Sequence, residues 1–250
     1  MIRLKIKEIN QHYFVDCKVN NKSVLLLVDT GTNHNVISMD IVSGINGNKI
    51  FKSKFNESEK IMKATIPDKI TISGNNFENI YFLIQNRRFI VGDGILGSHF
   101  MQKSTLSFDF NERDLKIFSK TILNKGIKIL VIDGIACVEM EILSRKGYFI
   151  IDTGCFADVL LYNKTVNLSN PVQFWIKQSS GKYSFAIRSI FECNAKIKGC
   201  ALNKVLCYSS DKKPYNLGKI EIIGTIGVGI LRVHGFTIDY ISKLMEFNTL

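Results

Sequence analysis

Two four-residue stretches carry the chemistry available to this chain: Asp29-Thr30-Gly31-Thr32 and Asp152-Thr153-Gly154-Cys155. Each closes an apolar run, Val24-Leu25-Leu26-Leu27-Val28 in the first case and Tyr148-Phe149-Ile150-Ile151 in the second, of the kind that forms a buried strand. A carboxylate at the inner end of such a strand is costly to charge alone. It needs hydrogen-bond donors, or a partner that shares its proton. The glycine two positions on lets the backbone turn tightly, so its amide can point back at the carboxylate. One such element reads as a buried turn. Two, one in each half of 250 residues, suggest a pair of acids acting together.

The surrounding elements repeat as well. The two aspartates stand 123 positions apart, and the same offset places Val15-Asp16-Cys17-Lys18-Val19 on Val138-Glu139-Met140-Glu141-Ile142 and Lys22 on Arg145. Ile70-Thr71-Ile72-Ser73-Gly74 matches Ala195-Lys196-Ile197-Lys198-Gly199 at an offset of 125. At 130, Gly94-Ile95-Leu96-Gly97 meets Gly224-Thr225-Ile226-Gly227, and Ser107-Phe108-Asp109-Phe110 meets Thr237-Ile238-Asp239-Tyr240. Small loop insertions account for the drift. So long a period predicts two homologous lobes, divided near Thr121 to Gly126, rather than a solenoid.

Along the chain, strands are predicted at Arg3–Ile9, Tyr13–Val19 and up to Asp29, with a tight hairpin turn at Asn20-Asn21-Lys22. A short helix is expected over Ser38 to Ile45. Two strands then flank the turn at Ser73-Gly74-Asn75-Asn76, a second helix is expected over Ser98 to Lys103, and Leu106–Phe110 forms a hairpin with Asp114–Phe118. The second half is expected to repeat this order and to finish with Phe236–Tyr240 and Lys243–Phe247. Short strands with regular turn signals make the chain mostly β.

At these places the chain resembles the pepsin-like and retropepsin-like aspartic proteases. In their lobe, an Asp-Thr/Ser-Gly turn follows a buried strand, and a second apolar segment ending in glycine threads beside it. The resemblance covers both halves, and the threading segments would be Ile95-Leu96-Gly97 and Ile226-Gly227. It implies a mostly β, two-lobed acid-protease β-barrel fold from an internal duplication, with an N-terminal lobe over residues 1–122 and a C-terminal lobe over 123–250. Asp29 and Asp152 would then meet across an approximate two-fold axis as the catalytic pair. Like charges that close cannot both ionise cheaply, so one proton is shared. The charged member would take a proton from a water that attacks the peptide carbonyl, and the protonated member would donate to the carbonyl oxygen. Thr30 and Thr153 match the hydroxyls that bond across to the opposite lobe, and Gly31 and Gly154 match the amides that hold the carboxylates. The copies differ at the next position, Thr32 against Cys155. A thiol is a far weaker donor than a hydroxyl, so the pair's charge should be less stabilised and the pH optimum shifted toward neutral.

The resemblance also implies a hairpin flap closing over an extended peptide. The first-half segment over residues 46–64 lacks the flap tyrosine of pepsin-like enzymes and the glycine-rich tip of retropepsins. Its second-half counterpart carries Ser180, Gly181 and Tyr183 as candidate flap or substrate residues. Tyr183 reads equally well as an ordinary strand aromatic, and the sequence leaves open which half supplies the working flap.

Composition bounds the alternatives. The formal net charge is +11, from 33 Lys and Arg against 22 Asp and Glu, yet the basic residues are scattered. Arg87-Arg88 and Lys212-Lys213 stand out as adjacent pairs. Scattered charge favours solvated strand faces over a nucleic-acid partner. The start, Met1-Ile2-Arg3-Leu4-Lys5-Ile6-Lys7, alternates apolar and basic residues as a half-exposed strand does, lacks the apolar core of a signal peptide, and no obvious long pro-segment precedes the first lobe. No stretch is long enough to span a membrane. Six cysteines without a CxxC pair read as free thiols in a reducing cytoplasm, with Cys193, Cys200 and Cys207 as core thiols. His12, His34, His99 and His234 have no zinc-ligand spacing, so no metal and no cofactor are expected. The expectation is a monomeric, cytoplasmic aspartic endopeptidase acting on a peptide between its lobes. The rival is a non-catalytic peptide-binding module on the same fold.

Overall fold

Tight two-residue turns set the framework. The computed structural model describes residues 1–42, 49–55, 58–86, 92–162, 171–177, 184–198 and 200–248. Strand Ile2–Ile9 turns into His12–Val19 through Asn10 and Gln11, and that strand turns into Lys22–Asp29 through Asn20 and Asn21. All four turn residues have positive φ, the conformation in which a two-residue hairpin loop matches the twist of its strands. The second half repeats the device. Asp133-Gly134 joins Leu130–Ile132 to Ile135–Ile142, and Leu143-Ser144 joins that strand to Arg145–Ile151, again with positive φ throughout. Leucine is a poor residue for that conformation. The buried flanking strands hold it there.

The molecule is mostly β, with 59% of residues in strands and 8% in helix, and it contains a closed six-stranded barrel, so sheet packing decides its shape. Alternation along the strands puts one face inside: Val15, Cys17 and Val19 are buried while Asp16 and Lys18 are exposed. One sheet is built mainly from the first half. A second, of nine strands, runs from Leu130–Ile132 to Ile220–Ile226. The end of the chain returns to the first sheet. Phe236–Asp239 pairs antiparallel with Thr105–Asp109, and Leu244–Phe247 bridges Phe236–Asp239 and Ile127–Lys128. The rings of Phe108 and Phe236 stack there at 4.6 Å. Both are fully buried, worth about 2–3 kcal/mol apiece in area removed from water. Asp239 ties the connecting segment to this sheet, accepting the Thr121 hydroxyl and the amides of Ile122, Leu123, Ile241 and Ser242.

Both short helices form within their expected ranges, Met39–Val42 and Ser98–Met101. The second half departs from a strict repeat of the first. Ser58–Thr65 and Ile70–Ile72 are separate strands, interrupted at Pro67, which has no N–H to donate to a ladder. Their counterpart, Ser184–Ile197, has no proline and runs unbroken for 14 residues against Cys200–Ser210, absorbing the mismatch in two register shifts. A further hairpin, Tyr215–Leu217 with Ile220–Ile226, lies where the repeat offset grows from 125 to 130. No helix among the described residues is long and apolar enough to cross a membrane.

Candidate active site

Asp29 ends a strand whose preceding residues Leu26, Leu27 and Val28 are fully buried. That strand is held on one side by antiparallel His12–Val19. On the other lies Gly94–Gly97, parallel to it, with Gly94 opposite Leu26 and Gly97 opposite Asp29. Around Asp152 the arrangement recurs, with Arg145–Ile151 between Ile135–Ile142 and the parallel strand Ile220–Ile226. The threading glycines are there because nothing larger fits. A Cβ on Gly97 would lie 2.3 Å from the His34 carbonyl oxygen, and one on Gly227 would lie 2.3 Å from that of Ala157 and 2.4 Å from that of Cys155. Past each glycine the next amide anchors the acid-bearing loop: Ser98 N–H donates to the Thr32 carbonyl at 2.7 Å, and Val228 N–H to that of Cys155 at 2.8 Å.

The two loops meet. The Gly31 amide donates to Asp29 Oδ1 at 2.9 Å and the Gly154 amide to Asp152 Oδ1 at 2.8 Å. Each carboxyl also lies against the opposite glycine, since a Cβ on Gly31 would come within 2.3 Å of Asp152 Cγ and one on Gly154 within 2.7 Å of Asp29 Cγ. The two carboxyls lie close enough to shift each other's titration. Beneath them the threonines form a reciprocal set of four bonds. Thr30 N–H donates to Thr153 Oγ1 and Thr153 N–H to Thr30 Oγ1, both at 3.1 Å. The Thr30 hydroxyl donates to the Ile151 carbonyl at 2.8 Å and the Thr153 hydroxyl to that of Val28 at 2.7 Å. Both threonines are fully buried, so every one of these groups has exchanged water for its counterpart from the other half.

The local two-fold is broken electrostatically. Burial raises the Asp29 carboxyl, while donation from the Thr32 hydroxyl at 2.9 Å, from Asp152 and from the Gly31 amide pulls it back. Asp152 stands well above the ordinary carboxylate range, first because it is buried and then because Asp29 is charged beside it. Both carboxyls are therefore raised and share a proton, with the Thr32 hydroxyl biasing the charge toward Asp29. Cys155 occupies the place of Thr32, yet no bond from its thiol to Asp152 exists among the described residues. Burial pushes the thiol up and keeps it protonated.

Two basic residues flank the pair. His12, on the strand beside Asp29, is lowered by burial against the pull of Asp29, and its Nδ1 is buried without a hydrogen-bond partner. Lys212 lies on the Asp152 side. Its Nζ donates to Tyr162 Oη at 3.0 Å and sits 4.1 Å from the centre of the Tyr162 ring and 5.3 Å from that of Tyr215. The Tyr162 hydroxyl in turn bonds Thr225 Oγ1 at 2.6 Å. Burial lowers Lys212 to about 8, with Asp152 and Cys155 acting to raise it.

The site thus brings together Asp29, Thr30, Gly31, Thr32, Asp152, Thr153, Gly154 and Cys155. Ser180, Gly181 and Tyr183 lie outside the described residues; the strands Lys49–Phe55 and Ser58–Thr65 pair antiparallel, as do Pro171–Lys177 and Ser184–Ile197. Lys212 corrects the reading of its basic pair as solvated: it is partly buried between two tyrosines, while Lys213 is exposed. Its signal in the sequence was the growth of the repeat offset to 130, which marks an insertion in that segment. Cys207 is a buried thiol, Cys193 and Cys200 pack at the core's edge, and all six cysteines are free. Among the described residues no cluster of His, Cys, Asp and Glu is arranged to hold a metal ion.

No family model matches the chain, and no curated protein matches it. Solved structures similar to it include a retropepsin-like aspartic protease from Rickettsia conorii. The two are 17% identical over 46% of this chain and 88% of that one, with a TM-score of 0.35.

Proposed function

We propose that the chain is an aspartic endopeptidase that hydrolyses peptide bonds through water activated by Asp29 and Asp152. The observation that carries this reading is the meeting of two carboxyls, Asp29 buried and Asp152 half-buried, each fixed by its own loop's glycine amide. A site that only bound peptide would have no use for so costly a pair. In the reaction, Asp29 takes a proton from the water as its oxygen attacks the peptide carbonyl carbon, and Asp152 gives its proton to the carbonyl oxygen. The resulting tetrahedral diol breaks its C–N bond as a proton passes to the amine. The products are a carboxylic acid and an amine, with no covalent enzyme intermediate. Residues 1–122 form the N-terminal lobe and 123–250 the C-terminal lobe. Both carboxyls come from one chain, which supports action as a monomer, and the free thiols support a reducing compartment such as the cytoplasm.

Cleavage of a diverse peptide library from acid to neutral pH tests the reading. Hydrolysis blocked by a statine-type inhibitor and abolished in Asp29→Asn and in Asp152→Asn is the expected result. An inactive wild type that binds peptides as well as both variants do would overturn it in favour of a peptide-binding module. The Cys155 thiol, which leaves Asp152 without the hydroxyl that Asp29 enjoys, is the feature that favours that second reading.

A further inference from the structure

Lys212 has no role in the proton transfers above, yet its placement is costly. Withdrawing an ammonium from water is unfavourable unless it is paired, and no carboxylate among the described residues forms an ion pair with it. Its support is one phenol oxygen and two ring faces. Aromatic faces stabilise a cation without using its N–H groups. Tyr162 takes one of the three donors, and the hydroxyl of Tyr162 is committed onward to Thr225, which fixes the ring that holds the lysine. Tyr162 and Tyr215 lie nearly parallel, 24° apart with centroids at 6.0 Å, so the ammonium is preoriented rather than free to seek solvent. It sits close enough to Asp152 and Cys155 to act on both. The first half has no matching lysine–tyrosine arrangement among its described residues. This one is built by the segment that the second half adds.

We propose that Lys212 is a specificity residue that binds the carboxylate of a Glu or Asp side chain on the substrate, at a position flanking the scissile bond on the Asp152 side. This assignment rests on the peptide-hydrolysis reading of the acid pair. The acidic side chain supplies the missing counter-ion, using ammonium donors that no protein carboxylate takes. A Gln or Asn peptide would leave the partly buried charge uncompensated, so discrimination between acid and amide of the same shape follows.

Paired peptides differing only as Glu or Gln at each position around the scissile bond provide the test, with wild type, Lys212→Met and Lys212→Glu. Wild type is expected to prefer Glu at one position by at least about ten-fold in kcat/KM, the scale of one charge-assisted bond. Lys212→Met should bring the pair to parity, and Lys212→Glu should favour Lys at that same position. The preference should also fade as pH rises through about 8, where the ammonium loses its proton. The groups facing it are Tyr162, Tyr215, Asp152 and Cys155, of which the two tyrosines and Cys155 stay protonated in that range. Equal loss for Glu and Gln peptides in Lys212→Met, or a shifted pH profile with the ratio intact, would overturn the assignment. If no peptide is cut, the hydrolysis reading falls, and anisotropy titration of the same pairs decides about Lys212 by the Glu-to-Gln ratio of Kd. Equal binding of both peptides, or binding of neither, would overturn it there.

Discussion

Thr30→Val removes the hydroxyl while keeping the branched shape, and the structure fixes what is lost. The Thr30 hydroxyl no longer donates to the Ile151 carbonyl, and Thr153 N–H has no acceptor. The two other bonds of the set, Thr30 N–H to Thr153 Oγ1 and Thr153 Oγ1–H to the Val28 carbonyl, survive. Ile151 and Thr153 are both fully buried, so water cannot replace the lost partner without opening the site. Each stranded buried group costs about 1–3 kcal/mol, which puts the substitution at about 3 kcal/mol. For a chain of this size that is a fall in Tm of about 6–12 °C. Thermal and denaturant unfolding followed by circular dichroism measure it directly. Thr153→Val should cost a similar amount, and because the two residues share bonds, the double variant should depart from the sum of the singles by about 1 kcal/mol. A Thr30→Val protein within about 0.5 kcal/mol of wild type, or a strictly additive double variant, would refute the reciprocal lock.

Cys155→Ser supplies Asp152 with the hydroxyl donor that Asp29 already has from Thr32. Donation to the charged form lowers the pair's pKa, so the acid limb of the kcat/KM profile should move to lower pH; superimposable limbs would remove the idea. In the sheet that the two halves share, burial would raise Asp239, but the Thr121 hydroxyl and the Ser242 and Leu123 donors outweigh it and hold the carboxyl at about 2. A depressed folded pKa contributes stability that is complete above the unfolded value near 3.8 and lost as pH falls toward about 2. Asp239→Asn should therefore cost about 2 kcal/mol at neutral pH, with the wild-type and variant stability curves converging on acidification; parallel curves down to the acid limit would argue against it.

What the sequence determined by itself is local or repeated. Apolar runs stopping at an acid, glycine two positions later and polar two-residue turns are visible in short windows, and the repeat shows as an offset that drifts only from 123 to 130. They mark the strands that end in Asp29 and Asp152, while the resemblance implied Gly97 and Gly227 as the ends of the threading segments. What the sequence could not carry depends on partners more than a hundred positions away. The four threonine bonds join residues separated by 121 to 125 positions. The raised, shared titration of Asp29 and Asp152 arises from burial, the Thr32 hydroxyl and each other. The placement of the two chain halves on one sheet comes from the pairing of Phe236–Asp239 with Thr105–Asp109. Lys212 shows the limit best. In the sequence it is one of a basic pair, and only the tertiary packing of Tyr162 and Tyr215 takes it partly out of water and brings it within electrostatic reach of Asp152. Burial is a property of the assembled fold, and the energy of a charge is set by its surroundings rather than by its neighbours along the chain.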